Sequence, residues 1–212
     1  MVGDYILSFK FKGIELYHIP PFPDVDGQLA SRYDPSPHRF HLQYSDVVFT
    51  GASLSEPQPN PNSLDDSLVI YILAHQTVIG FFYFRVTIYN PNYVPSGPTA
   101  RMDVDLVGVY VASIPRAGVR EGRKLSLALA ARLGPEGKRG IWIERSPNKL
   151  KRYVVAVTFD QRVGVPVEPG DDLRELCEIA PQIESMCDVF VVESWDPSGE
   201  RTLLNNSLPP KN

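Results

Sequence analysis

The sequence predicts an α+β fold, an antiparallel, β-rich single domain with one clear helix, a second weaker helix and long proline-rich loops. Three observations carry this expectation. Twenty prolines in 212 residues is about 9%, against a usual level of about 5%, which places much of the backbone in turns, strand edges and extended loops. Two long runs of branched and aromatic residues, Ser67–Ala74 and Val78–Tyr89, flank a short polar pivot, the signature of a hairpin. Only Arg120–Leu133 shows a sustained leucine stripe, at Leu125, Leu129 and Leu133, which suits one face of a helix.

Taken in order, the elements are these. Asp4–Ile19 alternates through Ile6, Leu7, Phe9 and Phe11, passes Lys12-Gly13 and resumes at Ile14, Leu16 and Tyr17; it reads as two strands about a tight turn. Pro20–Pro37, with Pro20-Pro21-Phe22-Pro23 and Asp34-Pro35-Ser36-Pro37, continues neither a ladder nor a helix and reads as a long loop. A short strand over Phe40–Phe49, broken near Ser45-Asp46, leads into Glu56-Pro57-Gln58-Pro59-Asn60-Pro61-Asn62. That proline tract favours an extended backbone without hydrogen bonds. The hairpin 67–89 pivots on His75-Gln76-Thr77 and is expected at the centre of the sheet. Met102–Ala112 is a further strand, followed by the helix over 120–133, which Gly134-Pro135 terminates. Gly140–Glu144 and Leu150–Phe159 bracket the turn-forming run Arg145–Lys149 as a second hairpin. Asp171–Met186 is the weaker helix, interrupted by Pro181, and Asp188–Ser194 is a final strand. Residues 1–195 form the expected single globular domain, and 196–212 a C-terminal tail. No internal repeat is evident.

Composition narrows the function classes. The chain holds 21 Lys+Arg against 25 Asp+Glu, a net charge of −4, with 43% hydrophobic residues, which describes a globular chain and excludes a uniformly basic nucleic-acid binder. No signal-peptide pattern and no membrane-length apolar run is present, so the expectation is an intracellular location, cytoplasmic or within a particle. Cys177 and Cys187 would lie nearly three turns apart on a helix and are expected as free thiols.

The net value conceals a segregation of charge. Residues 1–115 hold 6 basic and 11 acidic side chains, residues 116–162 hold 12 and 4, and residues 163–212 hold 3 and 10. The basic segment supplies the candidate binding residues Arg116, Arg120, Arg123, Lys124, Lys138, Arg139, Arg145, Lys149, Lys151 and Arg152. Cations so concentrated suit phosphates, of nucleic acid or of an anionic membrane surface. The alternative is neutralisation by the acidic C-terminal segment (Asp171, Asp172, Glu175, Glu178), within the monomer or between subunits.

Catalytic patterns are sparse. The order hairpin, strand, glycine-containing turn, helix and strand over residues 68–144 resembles the central part of the GCN5-related N-acetyltransferases. The turn Val119-Arg120-Glu121-Gly122-Arg123-Lys124 stands where that family holds the acetyl-CoA pyrophosphate. It keeps one glycine and places Val119 and Lys124 at the other two signature positions, and Tyr153–Phe159 favours a strand where the family's later Asn and Tyr pattern needs a helix. The resemblance, covering about a third of the chain, implies an acetyl-CoA enzyme. A metal-dependent nuclease would use Asp103 and Asp105, which alternate on one strand face, with Glu136-Gly137-Lys138. His18, His38, His41 and His75 carry no acidic partner at metal spacing and are expected on the surface. No serine elbow, phosphate-binding loop or paired cysteine nucleophile occurs.

The reading that remains is a non-enzymatic structural or assembly protein, matrix- or coat-like. It is expected to self-associate and to contact nucleic acid or an anionic membrane surface through the basic segment, with no catalytic residues, metal or cofactor assigned. The acetyltransferase is the alternative.

Overall fold

The computed structural model describes residues 5–19, 40–43, 47–61, 63, 66–90, 92, 100–111, 113–115, 124–126, 128–145, 152–161, 164–183 and 188–194. These residues make three layers of antiparallel sheet. The front sheet, in the order β1-β2-β3, contains β1 (Tyr5–Lys10), β2 (Gly13–His18) and β3 (Phe40–Gln43). The central sheet runs β14-β8-β7-β6-β4, from β4 (Gly51–Leu54), β6 (Leu68–Gln76), β7 (Gly80–Tyr89), β8 (Arg101–Val111) and β14 (Val165–Pro166). Against β6 also lies β5 (Gln58–Pro59). A two-stranded ribbon joins β9 (Ser113–Pro115) to β10 (Lys124–Ser126). The back sheet, β11-β12-β13-β15, contains β11 (Ala128–Leu133), β12 (Arg139–Arg145), β13 (Arg152–Thr158) and β15 (Asp188–Ser194). One short helix is described, α1 (Leu173–Ile179).

The expected hairpin does form the centre, and its composition explains why. Nearly every residue of β6 and β7 is buried, because the central sheet is covered on both faces and both parities of each strand must be apolar. Even-numbered Ile70, Ile72, Phe82, Phe84, Val86 and Ile88 share one core with Ile14 and Leu16 of the front sheet. Odd-numbered Val69, Tyr71, Leu73, Phe81 and Tyr83 share the second core with Trp142, Val155 and Val157 of the back sheet. A bulge opposite Tyr83/Phe84 keeps β8 in step: Val107 belongs to the second core, while Leu106 and Val109 on either side belong to the first.

Four expectations are corrected. Residues 128–133 are a strand, and Lys124–Ser126 is another, where a helix over 120–133 was expected. A spacing of four residues fits a helix face but is also twice the two-residue period of a strand, so residue spacing alone does not separate the two; in the structure Leu125 lies on β10 and a register shift falls between Leu129 and Leu133. Pairing with β12 decides between them, and Leu133 N–H also donates to Ser53 Oγ of β4, at 2.8 Å. The second helix, expected over 171–186, ends at Ile179. Asp172 caps its start by accepting from Arg174 N–H, and Ala180 turns extended (ψ 142°) before Pro181, which disfavours the helical region for its predecessor.

The proline tract is not free of hydrogen bonds. With Pro at 57, 59 and 61, the intervening amides of Gln58 and Asn60 face one side, where Gln58 and Pro59 pair with β6 and Asn60 N–H donates to Ser67 O at 2.9 Å. The prolines face outward, the arrangement that edge strands tolerate. Finally, His75 lies in β6 rather than at an exposed turn, its ring 5.0 Å from that of Phe81. The turn is Thr77–Ile79, closed by Gln76 Oε1, which accepts from the Val78 and Ile79 amides at 2.6 Å each. The strand expected over 40–49 is described only as Phe40–Gln43, and the tail 196–212 lies outside the described residues.

Candidate functional site

β12 places alternate residues on opposite sides of the back sheet. Gly140 and Trp142 point into the second core and are buried, and Glu144 follows them inward. One carboxylate oxygen of Glu144 accepts both the Tyr110 hydroxyl and the Trp142 indole N–H, the latter at 2.8 Å. An acid of the basic segment is thereby used within the core. Arg139, Ile141 and Ile143 consequently occupy the outer face, and Arg145 ends the strand. Arg132 stands directly opposite Ile141 on β11, and Thr158, Ala156, Val154 and Arg152 stand opposite them on β13. The face is thus an apolar strip between arginines, with Ile141 45% exposed and Arg132, Arg139 and Arg152 all exposed.

Not all of the expected cations meet there. Lys138 and Arg139 lie at the β11–β12 turn, where Lys138 pairs locally with Glu136 at 3.5 Å. Arg145 and Arg152 are opposed at the other end of the β12–β13 hairpin, about 20 Å along a strand of seven residues. Lys124 lies on the ribbon strand β10. Arg116, Arg120, Arg123, Lys149 and Lys151 fall outside the described residues. Arg132 and Ile141 were not among the expected binding residues. The alternation Arg139-Gly140-Ile141-Trp142-Ile143 carries the signal for the face, but Arg132 joins it only through strand pairing.

The acidic flank lies elsewhere. α1 presents exposed Glu175, Glu178 and Ile179, the last 66% exposed, while Leu173 and Ala180 bury into the first core. The back sheet packs on the opposite face of the central sheet. Among the described residues, neither Arg132 nor Arg139 is ion-paired with a carboxylate, and neither is Glu175 or Glu178 with a cation.

Concavities also occur among the described residues. A groove of about 540 Å³ between the front and central sheets is lined by Leu7, Phe9, Phe11, Phe49, Ala52 and Leu54, with Lys10 at its edge. Lys10 is engaged by Glu15 and Tyr17. A smaller pocket of about 280 Å³ lies between the proline arm and the β11–β12 turn, walled by Pro59, Pro61, Val69 and Tyr71 with Glu136, Lys138 and Gln161. Beside Tyr71 across the strands is Arg85, 7% exposed. Its Nη2 donates to Asn60 Oδ1 at 3.1 Å, while its buried Nε has no hydrogen-bond partner. Burial raises the Tyr71 phenol above its ordinary value. It also raises the Asp105 carboxyl, against the opposing pull of Arg85.

The residues of the enzyme alternatives are dispersed. The acetyltransferase resemblance needed a helix at 120–133; β10 and β11 occupy residues 124–126 and 128–133, and Val119–Arg123 lies outside the described residues. Of the proposed nuclease acids, Asp103 accepts from Arg101 at 2.7 Å, Asp105 is half-buried opposite Arg85, and Glu136 pairs with Lys138. No three His, Cys, Asp or Glu side chains come together as metal ligands among the described residues. No described helix is long and apolar enough to cross a membrane.

In comparisons with known proteins, no family model, no curated protein and no solved structure matches this chain.

Proposed function

We propose that the chain is a non-enzymatic structural protein of the matrix or coat type, which self-associates and uses its basic segment against an anionic partner. The observation that supports this reading is the outer face of the back sheet, a half-buried apolar strip with Ile141 exposed, bordered by arginines. Such a face costs solvation if left bare and suits a partner that is itself apolar and acidic. At one end of it Arg145 and Arg152 are direct cross-strand neighbours. Arginines grouped in this way suit phosphates, in nucleic acid or on an anionic membrane surface.

The test has two readouts. Light scattering across protein concentration reports self-association, and a strict monomer at every concentration overturns the reading. Binding of RNA and of anionic vesicles, measured against salt, is expected to weaken steeply as salt rises. Substituting Arg145→Ser with Arg152→Ser is expected to reduce that slope by about two contacts' worth for whichever polyanion binds.

A further inference from the structure

The geometry points to a specific occupant for the Arg132/Ile141/Arg139 end of that face: the acidic helix α1 of a second copy of the chain, in a head-to-tail contact. This inference rests on the self-association proposed above and names the surfaces that carry it.

Each surface is a large exposed aliphatic side chain beside charges mostly of one sign, the exposed Arg174 being the exception on α1. On the back sheet Ile141, 45% exposed, sits opposite Arg132 and two residues from Arg139. On α1 Ile179, 66% exposed, follows Glu178, with Glu175 one turn earlier. Charge and shape class are therefore complementary, apolar to apolar and guanidinium to carboxylate. The two surfaces cannot meet within one molecule. α1 packs on the first core beside β8, at whose edge the chain passes to bury Ile183 in the second core, whereas Arg132 and Arg139 belong to β11 and β12 of the back sheet, with β11 against β4 and β6 at the other end of the central sheet. Packed sheets are about 10 Å apart, which puts the outer face beyond the range at which exposed charges interact through salt water. Among the described residues, pairing of Arg132 and Arg139 with Glu175 and Glu178 is thereby left to neighbouring molecules.

The contact is local and is not set by overall charge: both copies carry a net charge of −4, so it depends on the side chains brought within about a Debye length of one another. Because the two surfaces differ, the contact is heterologous and does not close at a dimer unless a ring forms.

Complementary charge reversal tests this. One variant carries Arg132→Glu with Arg139→Glu, the other Glu175→Lys with Glu178→Lys; all four side chains are exposed, and circular dichroism checks that both variants fold. Each variant alone places like charges in every contact, so each is expected to sediment as a monomer at concentrations where the wild type assembles. Mixed one to one, both contacts regain opposite charges, and the assembled mass is expected to return. Two results overturn the inference while leaving self-association intact: wild-type assembly by either variant alone, or a mixture that stays monomeric when the wild type assembles. So does RNA or anionic-vesicle binding that needs Arg132 and Arg139 while assembly does not. A monomeric wild type removes the underlying reading as well.

Discussion

Gly137 shows how one residue joins the back layer to the centre. It has φ +75°, and a Cβ built there would lie 2.5 Å from Tyr71 Cδ2. The turn it occupies lies against an aromatic column in which Tyr71 stacks on Tyr83 at 5.4 Å and Tyr83 on Phe159 at 4.0 Å. Tyr83 Oη donates to Gly137 O at 3.1 Å. Gly137→Ala therefore combines a left-handed backbone with an overpacked ring, and should cost roughly 2–5 kcal/mol, read as a lowered midpoint in urea. An unchanged midpoint would refute the contact. His75 offers a pH test. Burial lowers its pKa below the ordinary 6.5, and its buried Nε2 has no partner while Nδ1 lies 3.0 Å from Thr50 Oγ1. The unfolded chain then binds more protons than the folded one, so stability is full above about pH 6.5 and falls as pH drops through the folded-state pKa. In His75→Phe the melting temperature should lose this slope, since the replacement cannot titrate.

At the scale of elements, β11 is where local preference and structure part. Its Ala- and Leu-rich composition is among the best for helices, yet it is a strand because pairing with β12 covers the second core, with Ala131 and Leu133 packed against it. The cost appears in a bulge between Leu129 and Arg132, where Ala130 adopts φ 44°. The bulge shifts the register of the strand: Leu129 pairs with Ile143, whereas Arg132, three residues on, pairs with Ile141, and Leu133 with Gly140. Ala130→Gly should relieve the backbone and raise stability by about 0.5–1 kcal/mol in chemical denaturation; a loss would mean that the bulge is not strained. The hairpins β1–β2, β6–β7 and β12–β13 were legible because alternation and turn chemistry are local. The bulge was not, because no residue type there announces a positive φ.

For the whole molecule, the three-layer order determines which charges can meet. Glu144 is drawn into the core by Trp142 and Tyr110, and α1 is held on the far side of the central sheet. Among the described residues, Arg132 and Arg139 form no ion pair with either. Assembly driven by such complementary faces should weaken with ionic strength, as the Debye length falls from about 10 Å at 0.1 M to about 3 Å at 1 M. Light scattering is expected to show a mass that decreases between those salts. A mass that rises would point to apolar contact alone, through faces such as the groove beside Phe11, which is 70% exposed.

The sequence by itself determined the β-rich character, the central hairpin and the alternation of charge between segments, because these follow from residue type and short-range period. The candidate site was legible only in part. Lys138, Arg139, Arg145 and Arg152 could be named from composition, but their division between two ends of the back sheet depends on strand length and register. Only the tertiary structure decided that residues 128–133 form a strand, and that the acidic helix and the basic face lie on opposite sides. A four-residue repeat satisfies both helix and strand, and which partner an apolar face finds is a property of long-range packing.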